Sequence, residues 1–162
     1  MSAKKPMTLQ GFRTLQKEHE TLSKVERPVV VQRIADAAAE GDRSENAEYI
    51  YGRKRLRELD KRLAYLSTLL ADVEIVDPTT LSGSKVCFGA TVVIEEEGGK
   101  RNKWQIVGEG ESDTAHGTIS WRSPMARALF GKVVGDLVTV ERPAGEVEVE
   151  ILELWFAERR IA

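Results

Sequence analysis

A chain of 162 residues, 41% apolar and 31% charged, has room for one domain or two small ones and the material for a modest core. Its net charge of -2 argues neither for nor against a polyanionic partner. The single cysteine, Cys87, excludes an intrachain disulfide and a multi-cysteine zinc site, and no run approaches the roughly 20 apolar residues of a membrane span. The basic start, Met1 to Met7, lacks the apolar stretch of a signal peptide, so a cytoplasmic protein is expected.

Residues 1–7 read as a loose end. From Thr8 a helical pattern sets in, with apolar positions at Leu9, Phe12, Leu15, Leu22, Val29, Ile34 and Ala38. Pro28 interrupts it, because a mid-helix proline loses a hydrogen bond and clashes with the preceding turn; a kink near Arg27-Pro28 is expected. Gly41 can take the positive φ that ends a helix, and Asp42 or Ser44 can cap the next one. In the second helix Leu56, Leu59, Leu63, Leu66, Leu70 and Val73 alternate in steps of three and four, with Tyr49 and Gly52 extending the seam toward the turn. That alternation predicts an antiparallel coiled-coil hairpin, with limbs of roughly 45 Å at about 1.5 Å per residue.

Asp77-Pro78 breaks the helical period. The expected domains are therefore a hairpin over 1–77, a linker over 78–84 and a β-rich domain over 85–162. Strands are predicted at 86–88, 90–94, 103–107, 118–121, 137–140 and 147–154. One short helix is predicted from Pro124 to Gly131, with Ser123 as its N-cap. The fold class is α+β.

The polar turn from Gly41 to Tyr49 concentrates the candidate chemistry. Asp42 and Glu45 fit a capping box, which satisfies helix N–H groups and suits the helix dipole. Such boxes are common, but the two residues also fit a pair of carboxylates for a metal ion. Magnesium takes one or two protein carboxylates and fills its shell with water and phosphates, so this reading demands a partner with its own metal. Behind the turn, Arg53, Lys54, Arg55, Arg57, Lys61 and Arg62 form a basic band offset only by Glu58 and Asp60. Such a band is either a solvated coiled-coil face or a contact for RNA phosphates or an acidic channel. His19 and His116 are isolated, and no phosphate loop or catalytic triad is present.

The run from Gly41 to Tyr49 resembles the tip signature of the bacterial Gre transcript-cleavage factors, the GreA/GreB family, and the run from Tyr51 to Arg62 resembles its GreB branch. Arg27-Pro28, Val86 to Ala90, Ile106 to Glu109, Ile119-Ser120, Ser123 to Leu129, Gly135-Asp136 and Pro143 to Glu146 extend the resemblance over nearly the whole chain. It implies an N-terminal coiled coil and a C-terminal FKBP-like domain. It also implies binding to RNA polymerase at the mouth of its secondary channel, and stimulation of the polymerase's own cleavage of backtracked RNA. Asp42 and Glu45 would then be the catalytic pair, holding a second Mg²⁺ jointly with the polymerase and orienting the attacking water. Arg53, Lys54, Arg55 and Arg57 would contact the nascent RNA 3′ segment or the channel, and Ser123 and Pro124 would belong to the docking surface. No other cofactor, no membrane and a monomer are expected. Arg122 departs from the family, where polar or acidic residues are frequent. The rival readings are an anti-cleavage inhibitor of the same channel, an FKBP-like peptidyl-prolyl isomerase, and a structural coiled-coil adaptor.

Overall fold

The computed structural model describes residues 4–41 and 46–162. Their contacts divide into two units, one spanning Phe12–Ala71 and the other joining the segment up to Gly11 with Asp72–Ala162.

The first unit is the helical hairpin. Its first limb comprises α1 (Leu9–Thr21), a π turn (Leu22–Glu26) and α2 (Arg27–Ala39), and its second limb is α3 (Ala47–Leu70). The π turn is how the chain absorbs Pro28. Proline cannot donate to the preceding turn, and the Arg27 N–H instead reaches back five residues to the Leu22 carbonyl. The limb continues as helix beyond this π turn, a local irregularity that falls where the sequence predicts a kink and not an end to the limb.

The extra residue in that turn also shifts the apolar face by one position. Leu15 and Leu22 set a seven-residue step that points to Val29, yet Val30 is buried and Val29 is 46% exposed. After the turn the seam runs through Val30, Ile34 and Ala37, so Ala38 gives up its expected place to Ala37. The facing seam is Gly52, Leu59, Leu66 and Leu69, with Leu56, Leu63 and Leu70 half-buried beside it. Val73 leaves the seam for a strand.

Gly52 is required at its position. A Cβ there would lie 2.7 Å from Cγ1 of Ile34, so the limbs approach closely near the turn only because the side chain is missing. Among the described residues three ion pairs cross the limbs in antiparallel register: Glu18–Arg62 at 2.8 Å, Arg27–Asp60 at 2.8 Å and Glu26–Arg55 at 4.0 Å.

The second unit begins with a strand where the sequence predicts a loose end. β1 (Lys5–Thr8) pairs in parallel with β2 (Val73–Val76), matching Lys5 to Val73 and Thr8 to Val76. Thr8 is buried, and its Oγ1 accepts the Gly11 N–H at 3.1 Å, capping the first helix. Glu111 accepts from the Thr8 N–H at 3.0 Å, from the Thr8 hydroxyl and from the Gly108 N–H at 2.7 Å. The carboxylate thus anchors the N-terminal strand beside Gly108.

Next along the chain, β3 (Thr91–Glu96), β4 (Arg101–Val107), β5 (Thr118–Ser120), β6 (Leu137–Arg142) and β7 (Gly145–Phe156) form a curled sheet in the order β5-β4-β3-β7-β6. The two-residue β8 (Arg159–Arg160) pairs with β7. Within this sheet all pairings are antiparallel except β4 with β5, and a bulge at Leu152 of β7, opposite Val93 and Ile94, strengthens the curl. Alternate residues Val92, Ile94, Val138, Val140, Val149 and Ile151 pack with Leu154 and Phe156. Ala126 and Leu129 of α4 (Pro124–Leu129) join the same core. This is the α+β fold expected, with one short helix in the β-rich part.

Two predicted local features differ. Val86-Cys87-Phe88 is not a strand: Gly89 turns the chain at φ 88°, and Val86 instead exchanges backbone hydrogen bonds with Gly131 and Lys132. Burial of the Cys87 thiol raises its pKa. In the stretch read as a linker, Pro78–Thr80 forms a 3-10 turn capped by Asp77, and Arg159 donates to the carbonyls of Thr79 and Leu81 at 3.1 and 2.8 Å.

Candidate functional site

The first limb of the hairpin is described up to Gly41 and the second from Asn46. Gly41 has φ 149°, as expected for a residue that ends a helix. Asp42 and Glu45 lie outside the described residues. The cap of α3 is Asn46, not Asp42 or Ser44. Its Oδ1 accepts the Tyr49 N–H at 3.1 Å while its Nδ2 donates to the Ala37 carbonyl at 2.7 Å.

One side chain thereby satisfies an orphan donor at the start of one limb and an acceptor near the end of the other. The residue sits inside the signature run, yet its role depends on a partner nine positions away, which spacing does not reveal. Asn46→Ala is expected to cost about 1–2 kcal/mol, measured as a loss of hairpin stability in urea. It should also loosen amide-exchange protection at Tyr49 first.

Behind the turn the basic band is sorted by helix geometry. Arg53, Arg57 and Lys61 follow one another at i+4 and so form one ridge, about 12 Å long from first to last. Lys54 stands beside that ridge. All four are exposed, and Lys54, Arg57 and Lys61 make no ion pair among the described residues. The Arg53 guanidinium donates to the Tyr49 hydroxyl at 3.1 Å and lies over its ring.

Arg55 falls on the other flank. It is engaged by Glu26 at 4.0 Å and Glu58 at 3.6 Å, so it is the least available of the four predicted contacts. Lys61, absent from those four, belongs to the ridge. The ridge borders a groove floored by Val31, Ile34 and Leu56.

Asp60 also lines that groove, but its carboxylate is turned to Arg27. The hydrogen bond from Arg27 is the main reason that Asp60 titrates below the ordinary carboxylate range. A depressed folded pKa means stability that is present above the unfolded value and lost as pH falls through the folded one. Asp60→Asn should therefore lower the melting temperature slightly at pH 7, as befits an exposed pair, with the difference from wild type vanishing as pH falls below about 4.

Ser123 and Pro124 occur together at the start of α4. The Ser123 hydroxyl oxygen accepts the Ala126 N–H at 3.2 Å, and Pro124 is exposed at the first helical position. Trp121, Arg122, Arg127 and Phe130 line a cleft alongside. Neither histidine joins these surfaces: His19 contacts Ser67 at 3.1 Å and His116 contacts Asp113 at 2.6 Å. The His116 hydrogen bond leads the causes that lower the Asp113 pKa.

Among the described residues no three metal-ligating side chains cluster. Asp42 and Glu45, as two carboxylates, match in kind and number the one or two that magnesium takes from protein. No helix among the described residues is long and apolar enough to cross a membrane.

Comparison with known proteins covers both units. The family model "Transcription elongation factor, N-terminal" (GreA_GreB_N) matches residues 5–75, and "Transcription elongation factor, GreA/GreB, C-term" matches residues 81–156. The chain is 49% identical over 148 residues to "Transcription elongation factor GreB" of Yersinia pestis, covering 91% of this chain and 86% of the relative. It is 47% identical over 150 residues to the GreB of Pasteurella multocida, covering 93% and 95%. To the GreA of a Nitratiruptor species it is 46% identical over 159 residues, covering 96% of each. Among solved structures it is similar to the GreA factor homolog 1 (Gfh1) of Thermus thermophilus, with TM-score 0.44 and 21% identity, covering 94% of this chain and 99% of that one.

Proposed function

The chain belongs to the GreA/GreB family of transcription elongation factors, and from that premise we propose that it enters the secondary channel of RNA polymerase and stimulates cleavage of backtracked RNA. The observation that carries the reading is the ridge of Arg53, Arg57 and Lys61 with Lys54 beside it. Three of these cations have no ion pair among the described residues. The ridge starts seven residues beyond Asn46, on the helix that follows the acidic turn.

A ridge of unneutralised cations at about 6 Å steps attracts a single-stranded phosphate backbone. An RNA 3′ segment drawn along it would be led toward the turn. There Asp42 and Glu45 would hold a Mg²⁺ jointly with the polymerase, an ion that stabilises the attacking and leaving oxygens of phosphodiester hydrolysis. The same two carboxylates would accept hydrogen bonds from the attacking water and set its direction. Water adds to phosphorus, the bond to the 3′ oxygen breaks, and that oxygen leaves as the new 3′ hydroxyl of the retained RNA. The protein supplies side chains to the polymerase's endonuclease and is not an enzyme by itself. Ser123 and Pro124 would lie on the surface that docks to the polymerase.

The test is RNA cleavage in a defined backtracked elongation complex at matched polymerase occupancy. Acceleration by the wild-type chain supports the reading. Binding with slower cleavage would make the chain an inhibitor of the same channel.

A further inference from the structure

We propose that the groove between the two limbs on the Tyr51 side of the hairpin seats a basic amphipathic helix of RNA polymerase. The inference rests on the polymerase-binding reading above and adds the chemistry of a protein partner on the flank away from the Arg53 ridge.

The groove has a volume of about 880 Å³ and follows the first limb from Val25 to Glu40. About fifteen residues at about 1.5 Å each give roughly 22 Å, the span of a four-turn helix. Val25, Val29 and Tyr51, which line it, are 59%, 46% and 69% exposed. They are three of the eight large apolar side chains exposed among the described residues, and one groove holds all three. Apolar residues scattered singly over a surface need no explanation, but three along one concave strip mark a contact. The π turn puts them there. It brings Val30 into the seam between the limbs and leaves Val25 and Val29, four residues apart, outside it.

The rim carries Glu26, Asp36, Glu40 and Glu48 against Arg33 and Arg55. Arg55 is already engaged by Glu26 and Glu58, whereas Asp36, Glu40 and Glu48 make no ion pair among the described residues. Those three stand at the turn end of the groove, late in the first limb and early in the second. A partner that fits presents an apolar stripe with Lys or Arg beside it, the pattern of a basic amphipathic helix laid in a groove.

The same charges decide against two other occupants. A nucleic-acid strand would meet three unneutralised carboxylates, and the cations that suit it border the other groove, with Arg53 and Arg57. A second copy of this chain would set an acidic rim against an acidic rim. The limbs are already joined by Asn46 toward one end and by Glu26 with Arg55 toward the other, so binding has little ordering left to impose.

The experiment is titration of the fluorescently labelled full chain with core RNA polymerase, paired with crosslinking from a benzophenone side chain placed at position 51. Val29→Asp with Tyr51→Asp is expected to weaken binding about tenfold or more, and Glu40→Gln with Glu48→Gln severalfold. Leu137→Asp, at another exposed apolar residue, in β6, should leave binding unchanged. Melting temperatures near wild type would keep misfolding from explaining the loss. Val29→Ser with Tyr51→Ser adds no charge and gives a second readout should the aspartate pair melt early. The crosslink should map to a polymerase helix with apolar residues three and four apart and Lys or Arg beside them.

If both Val29 and Tyr51 double variants bind within twofold of wild type while tip variants still lose cleavage, the groove proposal is overturned and the function stands. Wild type that fails to bind polymerase would overturn both. A crosslink to RNA, to a second copy of this chain or to an acidic polymerase segment would also overturn the proposal.

Discussion

Asp42→Asn and Glu45→Gln are each expected to lower stimulated RNA cleavage by on the order of 10²-fold or more while leaving polymerase binding intact. Each substitution keeps the size of the side chain and removes the charge. A carboxylate that steadies a cation and orients water acts only when ionised, so the amide forfeits both effects. The rival assignment is a helix cap. An amide caps nearly as well as a carboxylate, so a pure capping role predicts almost no loss from Asp42→Asn. The cap of α3 is moreover Asn46, which holds Tyr49 and Ala37 together. Single-turnover cleavage in a backtracked complex, with polymerase occupancy measured in the same mixture, separates the outcomes. Normal cleavage by both variants would remove Asp42 and Glu45 from the mechanism.

The second large effect is expected from the ridge. Replacing Arg53, Lys54 and Arg57 together by alanine should weaken engagement of the RNA 3′ segment by about 10²-fold near 0.1 M salt. Each phosphate contact on a single strand contributes roughly 0.7 to the slope of log affinity against log salt, so three contacts contribute about 2. The salt dependence of the cleavage rate should fall by that amount.

Arg55→Ala should do far less, because Arg55 is already engaged by Glu26 and Glu58. Lys61→Ala should add to the triple substitution, since Lys61 continues the ridge. A loss as large for Arg55→Ala as for Arg57→Ala would mean that the charge of the whole helix matters, not the ridge. The measurement is the second-order rate constant for cleavage in complexes backtracked by several nucleotides, taken across a salt series.

What the sequence determined by itself is local. The leucine spacing dictates a helical hairpin, Gly41 ends its first limb, Ser123-Pro124 starts the short helix, and alternation after Asp77 dictates strands. Each of these depends on residues within a few positions of one another, where side-chain period, capping and allowed φ decide the outcome. The chemical identity of the tip is local too: two carboxylates within four residues, followed by a dense basic band.

Tertiary structure decided what depends on distant partners. The turn that accommodates Pro28 moved the buried position from Val29 to Val30, because an inserted residue rotates every later side chain relative to the opposing helix. Arg55 was separated from Arg53, Lys54 and Arg57 because Glu26, on the other limb, lies within reach of only one flank. Asn46 became the cap that joins both limbs through Ala37. The N-terminal residues became a strand because Val73–Val76 offered backbone partners and Glu111 an acceptor. A residue's neighbours along the chain set what it can do, and its neighbours across the fold set which of those options is realised.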